Sequence, residues 1–420
     1  MKLTACLAGL LLAVPALAEV RLTPEQGDLQ AWVERSSPGT TLVLAPGIYR
    51  GPLVIDRSLT LKGEAGAVID GGGRGSVLSV RAADVVVEGL ELRHSGSDLG
   101  ALDAGIFVAE QSARVRLLNN RLSDVAFGIW LDKGREVQVR GNQIEGNQRL
   151  RSQDRGNGIH LFASDECLIE NNRVRHARDG IYIDTSNRNR LVGNQLSELR
   201  YGIHYMNSND NEVRGNRTRH TRTGYALMQS RNLEVHDNWS EDDENYGLLL
   251  NFITHSSIVG NHILRVRNAE GGAAIEGSEG KGLFIYNSLY NEIRDNLVEG
   301  SDLGIHLTAG SEENRMYGNR FIANRTQVKY VSNREQEWSY GGRGNYWSDY
   351  LGWDMDGDGL GDRPYQPNDG VDKLLWRYPE ARVLMNSPAI QTLRWVQRQF
   401  PVLRPPGVRD SHPLMGLVRQ

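Results

Sequence analysis

The chain has 420 residues, a formal net charge of −4 and 39% hydrophobic residues. Its lysines and arginines are interspersed with acidic residues, which leaves no basic stripe and argues against a nucleic-acid partner. No segment after residue 18 is long and apolar enough to span a bilayer, so the sequence predicts no membrane span of its own.

The first residues, 1–18, have the pattern of a cleaved secretory signal. Lys2 precedes an apolar stretch, and a small-residue site ends at Ala18, directly before Glu19. We therefore expect the protein to be exported, with cleavage after Ala18.

The cysteine count excludes an internal disulfide. Cys6 lies in the signal, so the mature chain would keep Cys167 alone. The fold must then depend on its buried core.

Residues 19–40 are predicted to form an N-terminal cap with a short amphipathic helix. Within this segment Leu29, Trp32 and Val33 share one helical side. The first turn of a solenoid would otherwise expose an unpaired strand edge, which a cap protects from association.

Residues 41–345 are predicted to form the solenoid, because one short phrase recurs in them. A glycine followed by an alternating apolar strand returns about every 22 residues, as in GIHLFAS, GIYIDTS and GIHYMNS. A unit of that length cannot bury its own apolar face, so successive units must stack. A second short strand in each unit ends in an asparagine, and these side chains would form an amide ladder. They include Asn172, Asn194, Asn216 and Asn238. The pattern indicates an all-β, right-handed parallel β-helix with an N-terminal helical cap and a C-terminal extension.

The repeat lengthens before two of its glycines. About 8 extra residues precede Gly158 and about 13 precede Gly282, in each case directly before the glycine strand. Both insertions would emerge at one corner of the coil, about 24 Å apart, where they could wall a groove. Tolerated surface loops are the alternative.

The strand after each glycine is predicted to turn an aromatic and histidine-rich row outward. This row includes His160, His204 and His306, and such a composition on a solenoid surface suggests that something binds against it. Met206 and Met228 occupy equivalent positions in adjacent units. Thioether and imidazole donors favour Cu(I) over hard cations, so His204, Met206 and Met228 form a candidate copper platform. Simple packing of the methionines and solvation of the histidines is the alternative.

The same face also permits an enzymatic interpretation. Many parallel β-helices cleave or epimerise acidic polysaccharides with a tyrosine or histidine that moves protons. The residues available for this chemistry are His160, Tyr182, Asp184 and His204, with Asp132 and Arg178 nearby. Apolar Ala226 and Leu249 interrupt the row, and the chain lacks the DPHD signature of the mannuronan epimerases. A uronate lyase or C5-epimerase is therefore the alternative to a binding protein.

Residues 346–385 are predicted to be an Asp-rich C-terminal cap. The segment DMDGDGLGD places carboxylates at alternate positions before a glycine, as in the first half of an EF-hand-type calcium loop. The candidate ligands are Asp354, Asp356, Asp358 and Asp362. Tyr365 stands where such a loop has its closing glutamate. A Ca²⁺-stiffened cap and a metal-free cluster of Asx turns both remain open.

Residues 386–420 are predicted to be a partner-docking tail. A helix from Pro388 to Phe400 would place Leu393, Val396 and Phe400 on one side. This helix could dock on a partner or fold back along the coil. His412 and Met415 in the same tail are rival copper donors.

The C-terminal region carries a resemblance to a known family. The segments GNYWSDYLGWDMDGDGLGDRPY and SPAIQTLRWVQRQFPVLRPPGVRDSHPLM, together with the glycine-initiated repeats, resemble the NosD family, periplasmic maturation proteins of nitrous oxide reductase. The likeness runs from the signal to the tail, and FPVLRPPGVRDSHPLM is its specific part.

The resemblance implies a periplasmic, non-catalytic partner of an ABC transporter that helps to supply copper or sulfur to the copper clusters of the reductase. It implies that the soft donors receive Cu(I) from a membrane-anchored copper chaperone. It also implies that the tail helix contacts the membrane subunit of the transporter, which would be the protein's link to the membrane.

Overall fold

The computed structural model describes six stretches of the chain, which are 19–268, 278–308, 310–332, 334–384, 387–400 and 406–416. The predicted secretory signal lies outside these residues. Cleavage after Ala18 therefore stays a prediction.

The chain coils into a parallel β-solenoid of about 14 turns, as the repeat predicts. Each strand pairs in parallel with the strand one turn further along the chain, which produces three long sheets. We number the sheets in the order of their first strands.

Sheet 1 contains the strands Glu19–Leu22, Thr40–Leu44, Leu59–Gly63, Val86–Glu88, Arg116–Leu118, Gln138–Arg140, Leu168–Glu170, Arg190–Val192, Glu212–Arg214, Glu234–His236, Ser257–Val259, Glu292–Arg294 and Arg315–Tyr317. Sheet 2 contains Gly47–Arg50, Ala67–Asp70, Glu91–Arg93, Arg121–Ser123, Gln143–Glu145, Arg173–Arg175, Gln195–Ser197, Arg217–Arg219, Trp239–Glu241, His262–Leu264, Leu297–Glu299, Arg320–Ile322 and Tyr346–Trp347. Sheet 3 contains Leu53–Ile55, Leu78–Val80, Ala104–Val108, Phe127–Asp132, Ile159–Phe162, Asp179–Asp184, Tyr201–Met206, Thr223–Met228, Tyr246–Asn251, Lys281–Tyr286, Leu303–Thr308 and Thr326–Val331.

The strands of sheet 3 begin at or beside the repeating glycines, and their inward side chains form the core. The residues directly after the glycines pair in register and are fully buried; they include Ile106, Ile129, Ile159, Ile181 and Ile203. Burying one such side chain contributes about 1.5–3 kcal/mol, and each added turn extends the same apolar column. The predicted inward row is confirmed.

The amide ladder is confirmed and is longer than the four asparagines named from the sequence. Each Nδ2 donates to the Oδ1 of the next turn at 2.9–3.1 Å and to a backbone carbonyl. The ladder is made of Asn120, Asn142, Asn172, Asn194, Asn216, Asn238, Asn261, Asn296, Asn319 and Asn345. It satisfies the buried polar groups at one corner of every turn without water.

The tail closes this ladder, a role that the sequence did not indicate. Asp410 accepts hydrogen bonds through Oδ2 from the backbone N–H of Asn345 at 2.7 Å and from Trp347 Nε1 at 2.9 Å. Next to it, Val408–Arg409 pairs in parallel with Gln336–Glu337. Residues 406–416 thus belong to the end of the solenoid, although they lie in the segment 386–420 predicted as a docking tail.

The strands also extend past the predicted solenoid limits of 41 and 345. Glu19–Leu22, within the predicted N-terminal cap, pairs with Thr40–Leu44 of sheet 1. At the other end Tyr346–Trp347, within the predicted Asp-rich cap, pairs with the last full strand of sheet 2. Pairing satisfies backbone groups that a shorter solenoid would leave at its edges. The domain boundaries themselves stay predictions.

Three short α-helices accompany the sheets: α1 (Leu29–Arg35), α2 (Gly370–Arg377) and α3 (Pro388–Gln399). Single 3₁₀ turns occupy Pro24–Gln26, Ser152–Asp154 and Pro379–Leu384. In α1 the side chain of Asp28 caps the first turn, and Leu29 and Val33 pack into the solenoid core. A protective capping role for α1 stays a prediction.

Helix α2 lies against the last turns of sheet 3. Asn368 Nδ2 donates to the carbonyl of Val328 at 2.8 Å, and Lys373 Nζ donates to the carbonyl of Ser332 at 2.7 Å. Helix α3 packs on α2 through Arg394, which donates to Asp372 at 3.0 Å. Helix α3 therefore folds back onto the molecule, which was one of the two alternatives for the tail helix, and docking on a partner stays a prediction.

Candidate functional site

The outward face of sheet 3 carries two rows of side chains, which we call the outer face. In the first row, the residues two past each glycine pair in register from turn to turn, and Lys329, two past Gln327, continues the row in the last turn. This row consists of Phe107, Trp130, His160, Tyr182, His204, Ala226, Leu249, Phe284, His306 and Lys329. The second row, two residues further on, includes Asp132, Phe162, Asp184, Met206, Met228, Asn251 and Tyr286. The alternation predicted from the sequence is confirmed.

Both insertions connect sheet 2 to sheet 3, so they emerge at the one corner that the period predicts. The first brings Asn157 beside the outer face, with Nδ2 at 3.2 Å from His160 Nδ1. The second contains residues 269–277, which lie outside the described residues. That the two insertions wall a groove stays a prediction.

His204 is held in a fixed orientation at the middle of the outer face. Its Nδ1 lies 3.1 Å from Oδ2 of Asp179, which is almost fully buried and receives two hydrogen bonds from Arg200, at 2.8 and 2.6 Å. Burial alone would raise the pKa of Asp179, but the hydrogen bonds from His204 and Arg200 and the charge of Arg200 bring it below its usual value. Asp179 is therefore ionised, and its contact with Nδ1 leaves Nε2 of His204 available to a ligand.

Two aromatic rings fix the same imidazole from its sides. The ring centroid of Tyr182 lies 4.5 Å from that of His204, and the ring of Tyr201 meets it edge-on at 4.8 Å. Only 8% of His204 is exposed. The imidazole thus has one open edge and little freedom to turn.

The two methionines lie beside His204 as the sequence predicts. Met206 follows His204 by two residues on the same strand and therefore faces the same way. Met206 pairs in register with Met228 of the next turn, about 4.8 Å away along the solenoid, and both are half-buried. Three residues with soft donor atoms thus share one patch of the outer face on two adjacent turns.

His160 lies two turns before His204, about 9.5 Å along the solenoid, and belongs to a different part of the outer face. Its ring stacks on Trp130 at 3.8 Å between centroids. Burial lowers the pKa of His160 to about 3, so the ring is neutral at every physiological pH, and its Nε2 has no hydrogen-bond partner among the residues that the structure describes. His160 can offer a lone pair, but not to the ion that His204 would bind.

The remaining predicted copper donors are spread along the molecule. His306 lies four turns beyond His204, about 19 Å away, where burial lowers its pKa to about 3. His412 is at the C-terminal end, where its Nδ1 lies 3.0 Å from Ser339 Oγ. Met415 is next to it and donates its backbone N–H to Gly359. The structure brings together His204, Met206 and Met228 and leaves the other four predicted donors apart.

Cys167, the sulfur ligand of highest affinity for Cu(I) in principle, is not part of the outer face. It is buried in the core, and this burial raises the pKa of its thiol to about 12. The side chain therefore stays a thiol and takes no part in soft-metal chemistry.

The Asp-rich loop brings three of its four predicted ligands together. Within the described part of the chain, Asp354, Asp356 and Asp358 are the one group of three metal-ligating side chains whose ligand atoms all lie within 4.8 Å. Backbone N–H groups that follow in the loop donate to Asp354 and lower its pKa. Asp362 is outside this group and accepts instead from the backbone N–H of Met355 at 2.9 Å. Hard carboxylate oxygens of this kind suit Ca²⁺.

The residues named for polysaccharide chemistry share neighbouring turns, and burial shifts the pKa of two of them, Tyr182 and His160. Burial, followed by the nearby charge of Asp184, raises the pKa of Tyr182, so the phenol stays protonated. His160 is neutral and enclosed. Of the residues named for this chemistry, His160 and Tyr182 are therefore poorly suited to act as a general base near neutral pH.

Sequence reasoning missed Asp179 and Arg200. Asp179 stands directly before Gly180, where other turns carry Phe127, Tyr201 or Tyr246. A carboxylate among aromatic residues at that repeat position was the available signal. Its partner His204 comes from the following turn, 25 residues later in the chain.

The fold and the outer face together define a β-solenoid binding protein with a soft-donor surface. The model of the family described as "Periplasmic copper-binding protein (NosD)" matches residues 140–352. The "Probable ABC transporter binding protein NosD" of Pseudomonas aeruginosa (strain PAO1) is 62% identical over 375 residues, 89% of this chain and 88% of that protein. The protein of the same name from Stutzerimonas stutzeri is 59% identical over 376 residues, 89% of this chain and 86% of that protein. The chain belongs to the NosD family, as its tail segments predict.

Solved structures support the fold alone. The family 28 exopolygalacturonase of Yersinia enterocolitica aligns with a TM-score of 0.59 at 11% identity, over 75% of this chain and 78% of that one. PfbA, a surface adhesin of Streptococcus pneumoniae, aligns with a TM-score of 0.57 at 11% identity, over 74% and 93%. At this identity an enzyme and an adhesin share the coil without sharing a site. Among the described residues, no helix is both long and apolar enough to cross a membrane.

Proposed function

We propose that this chain is a periplasmic accessory protein of an ABC transporter and that it accepts Cu(I) on its outer face for the copper centres of nitrous oxide reductase. Its family membership supports this role, because the family is described as copper-binding and the relatives are named as transporter-binding proteins. The observation that carries the copper step is the orientation of His204 by Asp179 beside Met206 and Met228.

The chemistry of the three donors suits a cargo ion. Two thioethers and one imidazole favour Cu(I) over Ca²⁺ or Mg²⁺, which prefer oxygen. A carboxylate on the far nitrogen of a ligating histidine fixes its direction and raises its basicity. Because the methionines are half-buried and not enclosed, a donor protein and an acceptor protein can both reach the ion. We propose a membrane-anchored copper chaperone as the donor and nitrous oxide reductase as the acceptor. His160, His306, His412 and Met415 are proposed as separate, weaker donors.

Cu(I) titration under reducing conditions tests this site. With Met206→Leu and Met228→Leu combined, we expect the affinity for Cu(I) to fall about 100-fold, because leucine keeps the volume and removes both sulfurs. Competition with a chromophoric Cu(I) chelator measures the change.

The matched control removes two other methionines, Met316→Leu with Met355→Leu, near the C-terminal end of the solenoid, neither of which is a proposed donor. This control is expected to keep the wild-type affinity. Equal affinity in the Met206 and Met228 variant, or an equal loss in the control, would contradict the proposed platform.

We propose that helix α3 docks on the membrane subunit of the transporter. Its side toward α2 is occupied by Arg394 and Gln397, whereas Leu393 is 40% exposed and Phe400 is 54% exposed. Val396, between them in sequence, is half-buried. An apolar helix side that remains open after folding is suited to insertion into a groove of a partner.

The docking proposal is tested with the purified transporter in detergent. Replacing Leu393 and Phe400 together by serine is expected to weaken binding about tenfold or more, the effect of losing apolar anchors at an interface. Leu351→Ser combined with Met355→Ser is the control, since both side chains are even more exposed but lie in the Asp-rich loop. Equal loss in both variants would indicate nonspecific apolar contact and reject α3 as the docking element.

We propose that Asp354, Asp356 and Asp358 bind Ca²⁺ and stiffen the C-terminal end, with Asp362 supporting the loop. Excess Ca²⁺ is then expected to raise the Tm of the protein by about 2 °C or more through binding to the folded state alone. Asp354→Asn combined with Asp358→Asn should abolish this rise, whereas Asp56→Asn combined with Asp84→Asn should preserve it. A Tm that does not change with Ca²⁺ would contradict this proposal and support the alternative of a metal-free cluster of Asx turns.

A further inference from the structure

The outer side of sheet 2 carries a line of arginines and glutamines that the proposed copper function does not use. Register pairing stacks these residues in five successive turns, and all of them are exposed. They are Arg121, Gln143, Arg173, Gln195 and Arg217, and we call them the arginine row. A line of three cations is distinctive in a chain whose net charge is −4.

The arginine row borders a groove of about 310 Å³ on sheet 2. Within the six described stretches, the guanidinium groups of Arg121 and Arg173 have neither an ion pair nor a side-chain hydrogen bond. Several other exposed arginines of the solenoid are paired, as Arg140 is with Glu170 and Arg190 is with Glu212. Arg116 and Arg231 are also unpaired within the described part of the chain, but they lie outside the groove. The two guanidinium groups of the groove are therefore free to receive carboxylates, for which their planar fork is matched.

The C-terminal end of the row distinguishes between two kinds of acidic ligand. Trp239, next in the column, stacks on His262 with 4.2 Å between ring centroids and an interplanar angle of 4°. Arg217 lies 5.1 Å from the other side of the same ring. Because neighbours cover both faces of Trp239, no aromatic face is open for a sugar ring to pack on. The surface favours a protein segment over an acidic polysaccharide.

The spacing of the arginines selects the conformation of such a segment. Neighbouring turns are about 4.8 Å apart, so alternate turns place Arg121, Arg173 and Arg217 about 9.6 Å apart. A polyproline II helix advances about 9.3 Å in three residues and returns every third side chain to the same side. A β-strand does not fit, because residues three apart point to opposite faces.

We propose that the arginine row binds an extended acidic segment of a partner protein, in polyproline II conformation, with a carboxylate at every third residue. Two carboxylates pair with the free guanidinium groups of Arg121 and Arg173, and a third pairs with Arg217 in place of Glu241, which lies 3.5 Å from Arg217 in the unbound protein. Gln143 and Gln195, in the turns between them, donate to and accept from the backbone of the segment, which is free of internal hydrogen bonds in this conformation. This docking surface lies on a different sheet from the copper platform and is independent of it.

Fluorescence anisotropy with a labelled peptide of four Glu-Pro-Pro repeats tests the proposal on the mature protein. We expect saturable binding that weakens with added salt, and about tenfold weaker binding after Arg121→Gln combined with Arg173→Gln. Arg116→Gln combined with Arg231→Gln, which removes the same charge elsewhere, is expected to leave binding unchanged.

Two further peptides separate spacing from charge. A Gln-Pro-Pro peptide should not bind, and a peptide with the same number of glutamates at every fourth residue should bind several-fold more weakly. Equal binding of the two glutamate peptides, equal loss in both arginine variants or no saturable binding would overturn the proposal. Binding of polygalacturonate in place of the peptide would also overturn it and assign the groove to a polysaccharide.

Discussion

Replacing Asn194 by alanine is expected to lower the free energy of unfolding by about 3–5 kcal/mol, because the change breaks the amide ladder inside the core. Asn194 Oδ1 accepts from the backbone N–H of Asn172, and its Nδ2 donates to the carbonyl of Ile169. Alanine leaves the buried backbone N–H of Asn172 without its partner, removes the Nδ2 donor to the carbonyl of Ile169 and interrupts the ladder between Asn172 and Asn216. Chemical denaturation followed by circular dichroism measures the loss.

The adjacent residue provides the control for this prediction. Gln195 directly follows Asn194 and begins the strand Gln195–Ser197, but its side chain is exposed and turned outward. Gln195→Ala should change the free energy of unfolding by no more than about 0.5 kcal/mol. Similar denaturant concentrations at the unfolding midpoint of the two variants would show that the ladder contributes little to stability.

Asp179→Asn is expected to lower the affinity for Cu(I) about 10- to 100-fold, although residue 179 does not touch the ion. This is the typical effect of removing the group that binds the other ring nitrogen of a ligating histidine. Asparagine keeps the volume but removes the charge that fixes His204 Nδ1 and that balances Arg200. The Cu(I) titration measures the affinity. Asp184→Asn is the control. Asp184 lies on the same strand, and within the described part of the chain its carboxylate accepts a hydrogen bond from Thr185 and none from His204 or Arg200.

The same variant has an expected pH signature. Folding lowers the pKa of Asp179 below its reference value of 3.8, so the unfolded chain takes up this proton first as the pH falls. The contribution of Asp179 to stability is therefore complete above about pH 4 and is lost at lower pH. Wild type should lose stability relative to Asp179→Asn as the pH falls from about 5 to about 2. If the free energy of unfolding depended on pH in the same way in both proteins, the ionised contact of Asp179 with His204 and Arg200 would be contradicted.

Repeat spacing was sufficient to predict the inward rows, the outward rows and the central part of the asparagine ladder, from Asn172 to Asn238. These features depend on local alternation and on a fixed step, so adjacent turns must repeat them. The neighbours of His204 could be predicted only where they lie on its own strand, or at the repeat position of such a residue in the adjacent turn. Met206 and Met228 meet this condition. Asp179 begins the preceding strand of sheet 3, and the other turns carry no carboxylate at the same repeat position, whereas Arg200 comes from the connection between sheets 2 and 3.

The sequence by itself determined the solenoid, the family and the approximate place of the soft donors, because period and side-chain alternation are properties of the chain. Only the tertiary structure decided which donors meet, because the number of turns between two residues sets their separation. His160 and His306 share a row with His204 yet lie two and four turns from it. Asp410, which ends the asparagine ladder, is likewise 65 residues from Asn345 in the chain. The tail folds back to reach Asn345, and the repeat pattern does not predict this contact.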